Sequence, residues 1–259
     1  MLNGTLKEKL RAGKVVFGPW CVIPSAAVMN VTAAAGFDFA IIDLEHGPTS
    51  FQTAEDMARA AASAGCHPII RLGSVHEESI LKSLDIGVEG VITAHVESGE
   101  DARTAVRCCK YHPLGTRGFS PFTRAGNYSG GDIARHADIQ NEKTLVGVIL
   151  EGKKGIDALD DVLQTEHLDL IYIGAYDLSQ ALGMPGQVNH PEVRAYMESC
   201  IRKIRDAGVA AGGYVARTEA DMRWMVDIGM QFITYLPDCA AIHQAFSGAV
   251  GTFKGVIGE

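Results

Sequence analysis

Apolar residues along this chain gather in short, nearly unbroken runs. They are VVFGPW (15–20), FAIIDL (39–44), HPIIRL (67–72), GVITAH (90–95), TLVGVILE (144–151), LDLIYIG (168–174), VAAGGYV (209–215) and QFITYL (231–236). Continuous rather than alternating apolar character suits strands buried on both faces, as in a parallel sheet. Between the runs lie segments with helical spacing. Residues 25–35 have Ser25 as a candidate N-cap, and residues 50–63 start at Ser50 with Ala54, Met57, Ala58 and Ala61 on one side. Residues 76–86, 98–110, 155–165, 190–206 and 218–228 follow the same pattern, with Pro191 in a first turn and Thr218 as a cap three residues before Asp221. Strict strand–helix alternation with short connections predicts a parallel α/β sheet.

Eight such units in 259 residues match the size of a single (β/α)8 TIM barrel. An open doubly wound sheet is the alternative, but no GxGxxG follows the first strand. No low-complexity linker or change of composition divides residues 1–259, which predicts one domain. The longest irregular piece, 112–143, opens with HPLGTRGFSPFTRAGNYSGG and reads either as a binding loop or as a surface excursion.

Composition narrows the function. Hydrophobic residues make up 47% of the chain and charged residues 21%, enough for a full core and ordinary for a globular protein. A net charge of −8 argues against nucleic acid or an anionic membrane as the main partner. A small anionic substrate stays open, because a local Arg can dominate a pocket. The start, MLNGTLKEKLRAGK, has no apolar segment of the secretory kind. No apolar run approaches the roughly 20 residues that span a bilayer. Cys21, Cys66, Cys108, Cys109, Cys200 and Cys239 form no CxxC pair and read as free thiols in a reducing cytosol, so a cytoplasmic protein is expected.

Chemistry is expected at the carboxyl ends of barrel strands. There the chain places Asp43, Glu45 and His46 at the end of the second run, Arg71 in the third, His95 and Glu97 at the end of the fourth, Glu151 at the end of the fifth, and Gly174 and Asp177 at the end of the sixth. Singly, each could be a helix cap or a solvated rim. Together they form a ring of carboxylates, imidazole and guanidinium around one mouth. Glu151 and Asp177 are hard oxygen ligands suited to Mg²⁺, Mn²⁺ or a similar divalent ion. Arg71 offers a fork to a carboxylate or enolate oxygen. His46 can carry a proton near neutral pH, with Asp85 or the local Asp43 fixing its tautomer. No Lys ends a strand, so a Schiff-base route has no obvious residue. The set suits reversible C–C bond formation through a metal-bound enolate.

The segments GFDFAIIDLEHGP, HPIIRL, LDIGVEGVITAHVESGEDA, YHPLGTRG, ILEGKKGIDALDDVL and LDLIYIGAYDLSQALGMPGQVNHPEV resemble, in order, those of the HpcH/HpaI aldolases, metal-dependent pyruvate aldolases of the phosphoenolpyruvate/pyruvate barrel superfamily. The resemblance implies a carbon–carbon lyase in which Glu151 and Asp177 bind the divalent metal (Mg²⁺, Mn²⁺ or Co²⁺). Arg71 would hold a pyruvate or related 2-oxo acid, and His46 with Asp85 would be the acid/base dyad. Arg117 would lie near an aldehyde or acyl acceptor, and backbone around Gly174, Ala175, Tyr176 and Asp177 would meet the substrate carboxylate. It also implies a homohexamer, a trimer of dimers exchanging the last helix. The chain departs from the family pattern at Ala94, Ile149, Ala175, Tyr176 and the segment TYLPDC. One branch of the fold resembles a citrate synthase of siderophore pathways, using oxaloacetate and acetyl-CoA, and this is the alternative reading.

Overall fold

The computed structural model describes residues 4–258. Eight strands form one closed parallel barrel in sequence order: β1 (Val16–Cys21), β2 (Phe39–Asp43), β3 (His67–Leu72), β4 (Gly90–Thr93), β5 (Leu145–Leu150), β6 (Leu170–Ile173), β7 (Ala210–Gly213) and β8 (Phe232–Tyr235). Pairing of Val16 with Phe232 closes the ring. Seven strands lie inside the predicted runs, and β1 overruns its run by Cys21. The expected (β/α)8 barrel is the observed fold.

The helices are α1 (Leu6–Arg11), α2 (Ala26–Ala34), α3 (Phe51–Ser63), α4 (Glu77–Asp85), α5 (Gly99–Cys109), α6 (His136–Lys143), α7 (Gly152–Asp157), α8 (Leu159–Val162), α9 (Ala175–Ala181), α10 (Pro191–Asp206), α11 (Glu219–Asp227) and α12 (Asp238–Ile257). Ser25, Ser50 and Thr218 cap their helices through side-chain oxygens, and Thr218 forms a reciprocal capping box with Asp221. Two expectations need correction. The helix expected over 155–165 is two short ones, α7 and α8, broken at Ala158. The irregular piece 112–143 ends in α6, whose sequence HADIQNEK lacks an apolar stripe. It is anchored instead by the Asn141 side chain, which bonds both the N–H and the C=O of Tyr111.

Period-two alternation sorts the strand residues into two cores. Ala40, Ile42, Ile70, Val91, Val146, Val148, Ile171 and Ile173 face the helices. Phe39, Ile41, Ile69, Ile92, Leu145, Ile149, Leu170, Tyr172 and Phe232 fill the barrel interior. Phe39 and Phe232 stack there with ring centroids 4.0 Å apart. Gly18 admits that layer, since a Cβ on it would stand 2.1 Å from the Phe39 carbonyl oxygen. Five cysteines are buried and Cys239 is exposed. Burial pushes the Cys66 and Cys109 thiols up to about 12, which leaves them unreactive. No described helix is long and apolar enough to cross a membrane.

The amino end of the barrel is stoppered by α1, whose Leu6 and Leu10 join the interior core. Beside it sit two buried amines. Lys7 pairs with Asp169 at 3.0 Å. Lys110 donates to the carbonyls of Asn141 and Thr144, both at 2.8 Å. Burial, with Lys7 nearby, pushes the Lys110 amine down to about 8. The unfolded chain then holds more protons than the folded one between pH of about 8 and about 10.5, so this group's contribution to stability rises with pH across that window. Urea titrations of the native protein and Lys110→Met test this. The native-minus-variant difference in unfolding free energy should grow over that interval, and a flat difference contradicts a depressed Lys110.

Candidate active site

The strand parity that fills the barrel also selects which side chains crown it. Continuing the inward-facing positions upward gives Asp43 after Ile41, Arg71 after Ile69 and Glu151 after Ile149. Asp43 and Arg71 are paired neighbours on the β2–β3 ladder. Their side chains close a two-pronged ion pair: Arg71 Nε donates to Asp43 Oδ1 at 2.9 Å, and Nη2 donates to Oδ2. Asp43 Oδ1 also accepts the backbone N–H groups of Glu45 (3.0 Å) and His46 (3.1 Å). The guanidinium lies over the Trp20 ring, 4.5 Å from its centroid. Trp20 in turn meets Tyr172 edge-on. The Tyr172 hydroxyl donates to the Tyr214 carbonyl at 2.7 Å, and burial holds its pKa up at about 12. Arg71 is thereby fixed from below and on one edge, leaving Nη1 as its uncommitted edge among the described residues.

A second cluster adjoins the first. His95 is left-handed, at φ 54°, which folds the chain back so that its N–H donates to Glu151 Oε1 at 3.0 Å. Its ring Nδ1 lies 2.8 Å from Glu151 Oε1 and its Nε2 lies 2.9 Å from Glu45 Oε1. Ligand atoms of Glu45, His95 and Glu151 all lie within 4.8 Å of one another. Burial raises the Glu151 pKa, and Glu45 and Asp177 add to the rise against the His95 contacts. Glu45 Oε2 stands 3.3 Å from Arg71 Nε but lacks a hydrogen-bond partner. Crowded carboxylates with an open lone pair fit a divalent cation, which would relieve both the repulsion and the unmet acceptor. Asp177 lies near the same glycine as Glu151: a Cβ on Gly174 would be 3.5 Å from Asp177 Oδ2 and 3.7 Å from Glu151 Oε2. Glu151 is thus common to the expected Glu151–Asp177 set and to the Glu45–His95–Glu151 cluster.

Asp43, His46, Arg71, Glu151, Gly174, Ala175, Tyr176 and Asp177 all line one cleft of about 410 Å³. Of the predicted mouth residues, Glu45 and His95 adjoin the cleft without lining it, and Glu97 pairs with Lys154 at 3.2 Å outside it. Asp85 and Arg117 also stand apart from it. Arg117, its side chain nearly fully buried, donates to Asp85 Oδ1 at 2.8 Å and stacks on Tyr111. Within one chain, therefore, Asp85 is held by Arg117 rather than by His46. Trp20, Tyr172, Tyr214, Arg217 and Cys239 also line the cleft. Inward parity was the available signal for Trp20 and Tyr172; Arg217 and Cys239 follow strand ends, where no periodicity marks them. Asp238, ahead of Cys239, accepts the N–H groups of Val22 (3.0 Å) and Ile23 (3.2 Å), tying α12 to the end of β1. Burial raises its pKa despite those donors.

Comparison with known proteins points the same way. The chain is 33% identical to the 2-keto-3-deoxy-L-rhamnonate aldolase of Salmonella gallinarum, over 99% of this chain and 95% of that one. It is 34% identical to a hydroxypyruvate/pyruvate aldolase of Roseobacter denitrificans, over 92% of each. The crystal structure of the citrate synthase SbnG superposes with a TM-score of 0.88 at 30% identity, covering 98% of this chain and 99% of that one. The family model described as HpcH/HpaI aldolase/citrate lyase matches residues 17–241. With that match spanning the barrel and every crown residue described above, the chain belongs to the HpcH/HpaI aldolase/citrate lyase family.

Proposed function

We propose that the protein catalyses reversible aldol cleavage and formation, with pyruvate or a related 2-oxo acid as the nucleophilic half. The observation that carries this reading is the fixed Arg71 fork, one edge closed by Asp43 and the other open to the cleft beside Glu151. The open edge donates to the oxo oxygen, where negative charge grows as a neighbouring C–H bond is broken, and preorganised donors act most strongly there. Backbone N–H groups at the start of α9, around Gly174, Ala175 and Tyr176, meet the carboxylate. A divalent ion (Mg²⁺, Mn²⁺ or Co²⁺) held by Glu151 with Asp177, or with Glu45 and His95, would supply Lewis-acid polarisation of the same oxygen.

In the forward direction His46 takes a proton from the donor methyl carbon. That carbon bonds to the acceptor carbonyl carbon, and the acceptor oxygen gains a proton. All atoms are retained, and cleavage is the exact reverse. The backbone of His46 is anchored to Asp43, which steadies the imidazole against the fork. Asp85 is taken by Arg117 within the chain, so any partnership with His46 is made between copies. The last helix supports assembly. In α12, Ile242, Phe246, Val250, Phe253 and Val256 form an exposed apolar stripe, and only Asp238 is buried. An apolar groove lined by Ala27, Val28, Val31 and Phe37 lies beside its first turns. Exchange of α12 between subunits of a homo-oligomer would cover both surfaces. Condensation of oxaloacetate with acetyl-CoA is the second reading, favoured by the similarity to SbnG.

Proton–deuterium exchange of the pyruvate methyl group in D₂O, followed by NMR, tests the nucleophilic half without a choice of acceptor. Exchange should stop with EDTA, return with Mg²⁺ or Mn²⁺, and be lost in Glu151→Gln. Absence of exchange in every condition would direct attention to oxaloacetate with acetyl-CoA. Arg71→Lys keeps a charge but loses the fork. It should lower kcat/KM by about 10²- to 10³-fold, with circular dichroism reporting that the barrel persists. A loss smaller than about tenfold would remove Arg71 from the proposed role.

A further inference from the structure

Another cavity, of about 410 Å³, lies at the foot of the barrel and shares no residue with the cleft at the mouth. Three pieces of chain wall it. Helix α1 gives Lys7 and Arg11, the connection entering β6 gives His167 and Asp169, and the end of α10 with the turn into β7 gives Arg205 and Gly208. Lys7, Arg11 and Arg205 are cations, and Asp169 is the one carboxylate among the described residues of the wall. That carboxylate is already engaged. Its Oδ1 meets Lys7 at 3.0 Å and Arg11 at 3.8 Å, and its Oδ2 accepts the Val146 N–H at 3.0 Å. Glu142 meets Arg11 at 2.9 Å, but both side chains are exposed, and such a pair is weak. Asp38 and Glu89, at the same end, are taken by Lys9 and His67 and do not line the cavity.

Arg205 is the cation left over. Among the described residues it forms no ion pair within 4.0 Å. Its Nη1 donates to the Val209 carbonyl at 3.0 Å, which fixes the half-buried guanidinium against the turn into β7. The excess of positive charge reaches the neighbouring amine. Lys7 and Lys110 share the Thr144 carbonyl, at 3.4 Å and 2.8 Å, and burial together with Lys7 holds the Lys110 amine below its ordinary range. Gly208, left-handed at φ 79°, leaves that side of the cavity open, since a Cβ on it would meet no atom within 4 Å. We propose that the foot cavity binds a phosphate dianion, free or as the ester of a small metabolite, with Arg205 as its fork and Arg11 and Lys7 adding charge. A guanidinium backed by two further cations matches the double charge and several oxygens of phosphate, whereas a carboxylate would leave cations unmatched. The volume admits a small organic group beside the phosphate. A ligand held in this way ties α1 to the entries of β6 and β7, so its binding fastens the stopper.

Isothermal titration calorimetry on the full chain tests this with sn-glycerol 3-phosphate, inorganic phosphate and acetate, at one ionic strength and without added metal ion. The phosphates should bind and acetate should not. Arg205→Gln should weaken phosphate binding by about 10- to 100-fold, and Arg11→Gln by less. Arg71→Lys and Arg217→Gln, at the mouth, should leave it unchanged. Circular dichroism reports whether each variant folds, and the exposed Arg11 carries the test should Arg205→Gln fail to do so. Bound phosphate should also slow amide hydrogen exchange in residues 4–14 of the native protein, and do so less in the foot variants at the same concentration. Tighter binding of the ester assigns a metabolite and tighter binding of inorganic phosphate assigns the free ion; the site stands in both cases. No phosphate binding, acetate binding of equal strength, or binding that survives both foot variants and is lost in the mouth variants would overturn it.

Discussion

A guanidinium set at the top of an apolar barrel is tolerable only where a carboxylate of matching geometry meets it. Here the match is built into the sheet, because Asp43 and Arg71 are cross-strand partners whose side chains share the inward parity. Much of the crown follows from that pair. Asp43 spends its remaining acceptor capacity on the N–H groups of Glu45 and His46, so one carboxylate sets the Arg, the turn after β2 and the backbone of the imidazole. Trp20 and Tyr172 support the Arg from the layer beneath. Removing Arg71 would leave the buried Asp43 carboxylate without its cation, and removing Asp43 would leave Arg71 facing Glu45 alone and would release the turn as well.

The barrel was legible in the sequence because each strand is short and apolar and most are followed by a segment of helical spacing, so local pattern and global closure agree. The crown was partly legible. Strand ends marked Asp43, Arg71, Glu151 and Gly174, and the structure gathers them in one cleft. Other features depend on geometry that a linear pattern does not carry. His95 bridges Glu45 and Glu151 only because its backbone turns left-handed. Arg117 and Asp85 are far apart in sequence, and their pairing needs the long loop after α5 to fold back over α4. Arg217 sits in a connection without periodicity. In α6 the anchoring bonds of one Asn replace the apolar stripe that usually announces a helix.

Charge is distributed unevenly along the barrel axis. The foot is mixed: the buried amines of Lys7 and Lys110 sit with Asp169, and Asp38 and Glu89 lie at the same end. The mouth holds carboxylates in excess of its cations. The apolar interior separates the two, so neither cluster neutralises the other. The acidic mouth is thus left with a standing demand for positive charge that its own side chains do not fill. That demand is what the Glu45–His95–Glu151 cluster offers to a cation.

The α1 stopper has a kinetic meaning. With Leu6 and Leu10 packed into the foot of the barrel, the cleft communicates with solvent at one end. Traffic through a vessel with one opening is ordered. The molecule seated deepest enters first and departs last, and a partner arriving early in the outer position blocks its path. Such geometry favours ordered over random addition. An excess of the outer reactant then slows the enzyme by sealing it empty.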